Sequence, residues 1–114
     1  MKGVGIDIVE VKRFRKIPYK KNGAFYSKIF SDAEIKYCLG KDDPYQSFAA
    51  RFAAKEAVLK CLKSTIYKIR DVEIKNDKAG APVANVKSQK SKIKLLVSLS
   101  HVKEYAIAIA LWLN

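Results

Sequence analysis

Three observations predict an α+β fold. The first residues alternate in polarity, the middle carries helical spacing with start and stop signals, and the last third returns to alternation and two apolar runs. One strand, a helical half and a sheet-rich half, in that order, amount to helices packed on a mainly antiparallel sheet. The 114 residues, 49% apolar and 30% charged, suit a single domain over 1–114 with a core that needs no staples.

From Lys2 to Val9, one face receives Val4, Ile6 and Ile8 and the other Gly5, Asp7 and Val9, the period of a strand with one face buried. Glu10 to Ile17 predicts a short basic helix with Val11, Phe14 and Ile17 on one side, stopped by Pro18. Phe25, Ile29 and Phe30 predict a further helical turn. Ser31-Asp-Ala-Glu34 is a capping box, so a helix starts there and runs to Leu39, before Gly40. Pro44 suits the first turn of the longest helix, which ends near Lys63. Its apolar stripe runs through Phe48, Phe52 and Leu59, and Ala49, Ala53 and Ala57 beside it allow another element to pack closely. Beyond Ile69, Asp71 to Lys75 alternates, Asp77 to Pro82 turns, and Val83 to Val86 alternates again. Ile93–His101 and Tyr105–Leu113 then form the simplest arrangement for two apolar runs, an antiparallel hairpin.

The net charge of +12 points to a polyanionic partner: nucleic acid, an anionic membrane surface, or an acidic protein with or without a phosphorylated ligand. Its dense parts are Lys12–Lys16 and Lys20-Lys21. The longest apolar run is about half a bilayer span, and Asp7 and Glu10 interrupt what would be the core of a signal peptide. Cys38 and Cys61 cannot build a disulfide framework or a zinc site and predict buried thiols. Nucleic-acid domains interleave exposed aromatics with Lys and Arg, whereas Phe48, Phe52, Tyr105 and Trp112 have core spacing, so no nucleic-acid partner is expected.

Two acids stand where acids are expensive. Asp7 lies in a strand of Val, Ile and Gly, and Glu56 falls on the helical face of Phe48 and Phe52. Each fits either a salt bridge to a lysine or a divalent-metal site with one carboxylate from each element. Lys60, one turn beyond Glu56, would add charge suited to a diphosphate. His101, the sole histidine, ends an apolar strand after Ser98-Leu-Ser100, fitting either a sheet-end hydrogen bond or a phosphate contact. Gly80-Ala81-Pro82 reads as a turn whose backbone is also able to line a ligand groove.

Gly5-Ile6-Asp7-Ile8-Val9-Glu10-Val11-Lys12-Arg13, Arg51-Phe52-Ala53-Ala54-Lys55-Glu56-Ala57 and Ser98-Leu99-Ser100-His101 with Lys103-Glu104-Tyr105-Ala106 together resemble the bacterial holo-acyl-carrier-protein synthases. These are the small branch of the 4′-phosphopantetheinyl transferases, and the likeness extends over nearly the whole chain. It implies that fold and a cytoplasmic transferase of fatty acid biosynthesis. The reaction moves the 4′-phosphopantetheine arm of coenzyme A onto a serine of apo acyl carrier protein, with Mg2+, releasing adenosine 3′,5′-bisphosphate. By matching position, Asp7 and Glu56 would bind the metal and Lys60 would neutralise the breaking diphosphate. Lys60, Lys63, Gly80, Pro82 and His101 would contact coenzyme A, and Arg13 would dock the acidic carrier. Two acceptors remain for the serine proton, Glu56 and a water on the metal. The preferred carrier, fatty-acid or polyketide-type, is open too. The resemblance further implies a homotrimer with active sites between subunits. Two positions depart from the pattern: Lys63 and Thr65 stand where glycines are expected, and Ala81 where a lysine is common.

Overall fold

The computed structural model describes residues 1–63, 65–87 and 93–114. Strand β1 (Gly3–Glu10) leads into a one-turn helix α1 (Lys12–Arg15), a 3-10 turn over Tyr19–Lys21, and helices α2 (Gly23–Ile29), α3 (Asp32–Leu39) and α4 (Pro44–Leu62). A second 3-10 turn (Ile69–Asp71) precedes β2 (Val72–Asn76), β3 (Pro82–Val86), β4 (Leu95–His101) and β5 (Tyr105–Trp112). The α+β expectation holds, with every pairing antiparallel. The strands form two sheets, β1-β5-β4 and β2-β3. Part of the expected strand from Ile93 falls short: β4 begins at Leu95.

Helix α4 lies across the three-stranded sheet, and the contact selects its residues. A Cβ at Gly3 or Gly5 would overlap the backbone carbonyl of Cys61 or Ala57, so only glycine lets β1 approach the helix this closely. The alternation in β1 predicts one buried face without choosing it, and this contact makes the choice. The face toward the core is that of Gly3, Gly5, Asp7 and Val9, while Val4, Ile6 and Ile8 are 53%, 56% and 62% exposed. Ile107 and Ile109 of β5 continue that open apolar face, and Tyr105, expected in the core, is exposed as well. The alanine side of α4 is buried as its spacing predicts.

The far side of α4 packs on an aromatic cluster of Phe14, Tyr26, Phe30 and Phe48, with Tyr26 and Phe48 ring centroids 4.6 Å apart. The Ser31 capping box is formed in full, and its Glu34 does more than cap. One Glu34 oxygen accepts from the Ser31 amide at 2.8 Å and from Lys55 Nζ at 2.6 Å. The other accepts from the Ile74 amide at 2.8 Å, tying α3, α4 and β2 together. Both thiols are buried, and burial pushes the Cys38 pKa up to about 12.

Helix α4 ends on Lys63 with φ 53, the left-handed backbone normally given to glycine. The chain keeps a glycine-type ending without the glycine. For an L-residue that conformation costs about 1–2 kcal/mol, offset by the lower unfolded-state entropy of lysine. Lys63→Gly is therefore expected to stabilise the protein by about 0.5–1 kcal/mol in chemical denaturation. A loss of stability would mean that the lysine side chain contributes more than the backbone relief.

Candidate active site

The close β1–α4 contact brings Asp7 to the groups that α4 displays on its outer side. Lys60 Nζ lies 3.0 Å from Asp7 Oδ1 and 3.0 Å from the Ile6 carbonyl oxygen. The Asp7 side chain is only 16% exposed and Lys60 54%, so the pair has a recessed acid under an accessible ammonium. Glu56, half-buried, feels both. Burial first, and then the Asp7 charge, raise its pKa above the ordinary carboxylate value, while Lys60 and Arg13 pull it down. The four residues share one electrostatic neighbourhood.

Two partly desolvated carboxylates that repel each other suit a divalent cation, which would relieve the strain on both. Among the described residues no group of three or more His, Cys, Asp or Glu could hold a metal. An acid whose pKa rises on folding binds its proton more tightly in the folded state. Stability therefore falls as the pH rises from the unfolded carboxylate value, 4.5, through the raised folded one. Glu56→Gln is accordingly expected to raise Tm near neutral pH in EDTA, with the gain disappearing below the carboxylate range. An equal gain at every pH would assign the effect to packing instead.

Arg13, from α1, lies with its guanidinium carbon 5.2 Å from the centre of the Phe52 ring. It borders an apolar groove of about 370 Å³ lined by Phe14, Lys16, Phe25, Ile29 and Phe52. A cationic rim beside an apolar floor, next to the carboxylates, is a surface suited to an acidic amphipathic segment.

A second cavity, of about 290 Å³, gathers His101, Gly80 and Pro82 with Tyr37, Arg51 and Asn76. The turn and the histidine singled out in the sequence therefore share one concave site, whereas Lys63 does not line it. Arg51 is the residue that sequence reasoning passed over except as a letter of the motif. It is 5% exposed, packs 4.1 Å from the Tyr37 ring centre, and has a buried Nε without a hydrogen-bond partner among the described residues. An arginine among Phe48, Ala49, Ala50, Phe52 and Ala53 was as expensive as Asp7 and Glu56, and that signal marked it too.

The two clusters occupy different flanks of α4. Arg51 and Glu56 are five residues apart, about 140° around the helix. Across the sheet Asp7 pairs with Ala108 and Ala108 with Leu99, which lines the second cavity, so two strand spacings of roughly 5 Å each intervene.

Asp7, Glu56 and Lys60 on one flank of α4, and a buried arginine in the cavity on another, are groups whose charges suit a phosphorylated ligand. A family model described as the 4′-phosphopantetheinyl transferase superfamily matches residues 3–110, and the chain belongs to that superfamily. It is 39% identical to the holo-[acyl-carrier-protein] synthase of Thermodesulfovibrio yellowstonii over 109 residues, 95% of each chain. The corresponding synthase of Chlamydia trachomatis is 41% identical over 117 aligned residues, covering 97% of this chain and 98% of the relative. The crystal structure of the Helicobacter pylori synthase in complex with coenzyme A superposes with a TM-score of 0.83 at 30% identity, covering 96% and 98% of the two chains. Within the superfamily, the chain's place is with these holo-[acyl-carrier-protein] synthases.

Proposed function

We propose that this chain, as one transferase domain over 1–114, moves the 4′-phosphopantetheine arm of coenzyme A to a serine of apo acyl carrier protein. Its setting would be the cytoplasm and its pathway fatty acid biosynthesis. The observation that carries the proposal is the convergence of Asp7, Glu56 and Lys60 beside Arg13. Magnesium, held by Asp7 and Glu56, would supply electrostatic stabilisation to the diphosphate oxygens. The serine oxygen forms a bond to the pantetheine-side phosphorus as the diphosphate P–O bond breaks, and adenosine 3′,5′-bisphosphate leaves with the electron pair. Lys60 offers its ammonium to the charge that develops on those oxygens. The serine proton has two acceptors within this reading, Glu56 and a water on the metal. Arg13 and its apolar groove would receive the acidic carrier.

Gly80, Pro82 and His101, with Arg51, would seat the nucleotide end of coenzyme A. Since that cavity and the carboxylates lie on different flanks of α4, one complete site would combine two copies of the chain. The open apolar face of Val4, Ile6, Ile8, Ile107 and Ile109 supports such an assembly, which we take as a homotrimer. Lys63, exposed at the end of α4, would contribute a phosphate contact at most from its periphery. Among the described residues no helix is long and apolar enough to cross a membrane.

Incubation with apo acyl carrier protein, coenzyme A and Mg2+ is expected to raise the carrier's intact mass by one phosphopantetheine, and EDTA to prevent it. Folded protein that modifies no apo carrier would overturn the proposal.

A further inference from the structure

Asn76, the last residue of β2, joins two walls of the cavity that holds His101. Its Oδ1 accepts a hydrogen bond from Arg51, and its Nδ2 donates to the Gly80 carbonyl oxygen at 2.9 Å. Arginine has only donors and a carbonyl only accepts, so one orientation of the amide satisfies both. The same turn is closed by Asp77, which accepts from the Ala79 and Ala81 amides at 2.9 Å. A buried guanidinium needs partners for its donors. Tyr37 covers its face, Asn76 meets one edge, the Cys38 thiol lies within hydrogen-bond reach, and among the described residues Nε has no partner. A carboxylate at position 76 would also meet that edge, but would cancel the charge. A neutral amide leaves the charge available to an incoming anion.

We propose that Asn76 is a positioning residue. It holds Arg51 in place with its charge uncancelled and ties it to the Gly80 turn, so that a nucleotide phosphate meets both walls in fixed relation. The proposal rests on the cavity being the seat of the nucleotide end of coenzyme A.

The test is calorimetric binding of adenosine 3′,5′-bisphosphate to the full-length protein, with transfer kinetics alongside. Asn76→Asp is expected to weaken binding about tenfold or more, since it pairs off Arg51 and sets an anion against the Gly80 carbonyl. Asn76→Ala should weaken it by less. Both should raise KM for coenzyme A, while kcat and KM for the carrier stay within about twofold. In an Arg51→Ala background the Asn76→Ala penalty should shrink to less than about twofold, because that neutral change acts mainly through Arg51. If Asn76→Ala melts below the assay temperature, Asn76→Ser takes its place in the same cycle. Unchanged affinity in the Asn76 variants, or a full penalty without Arg51, would overturn the role of Asn76 and leave the cavity's role standing. No binding to the unmodified protein, or full affinity in Arg51→Ala, would remove the cavity reading itself.

Discussion

Alanine at Asp7 or at Glu56 is expected to slow carrier modification by at least about a thousandfold while KM for the carrier protein stays within about twofold. Removal of a single preorganised polar group from a reacting centre already costs about a hundred- to a thousandfold. Here either change removes one of only two protein oxygens proposed for the metal. Asp7→Ala also takes away the partner that holds the Lys60 ammonium at 3.0 Å. Because the two carboxylates would act as a unit, the double variant should be scarcely slower than either single one. The half-saturating Mg2+ concentration separates the roles further. It should rise steeply in Asp7→Asn and Glu56→Gln, which preserve shape, and hardly move in Lys60→Ala. Wild-type rates in either alanine variant at ordinary magnesium would leave the pair as a structural feature of the β1–α4 contact, and the chemistry would have to be sought elsewhere.

That contact also separates what the sequence made legible from what it concealed. The elements were readable because their signals are local: the Ser31 box, Pro44 at a helix start, alternation in Asp71–Lys75. The cost of a charge in an apolar stretch singled out Asp7 and Glu56, while only the resemblance set them together with Lys60. The buried face of β1 was not readable, because alternation alone does not choose between Val4, Ile6 and Ile8 and the opposite side. What decides the face is the missing side chains of Gly3 and Gly5, which admit α4. An apolar face left open in one chain is indistinguishable in sequence from one buried within it. Arg51 and Lys55 carried the same cost signal, but it was read for Glu56 alone among the letters of their motif. Their burial depends on Asn76 and Glu34, which come from distant segments.

Lys55→Met is expected to cost about 3–5 kcal/mol of stability, a large share of the 5–15 kcal/mol typical of a domain, and to lower Tm by more than about 10 °C. The Lys55 ammonium and the Glu34 carboxylate are 0% and 1% exposed and 2.6 Å apart, so removal of either strands a charge out of reach of water. Burial pulls the Lys55 pKa below its usual value and Glu34 opposes that, which is the balance expected of a desolvated pair. The two partners are not equivalent. Without Lys55, the Glu34 carboxylate still accepts from the Ser31 and Ile74 amides. Without Glu34, three donors lose their acceptor at once, so Glu34→Leu should be the more damaging change. Calorimetric melting of the two variants checks the order, and a milder Glu34→Leu would mean that the backbone amides find other acceptors. Activity offers a second check, because the pair ties α4 to α3 and β2, whereas Asp7 is brought to Glu56 by the glycines of β1. Below its melting range, Lys55→Met should therefore transfer phosphopantetheine within a few-fold of the wild-type rate per folded molecule. A collapse of kcat there would show that the buried pair sets the carboxylate geometry as well as the stability.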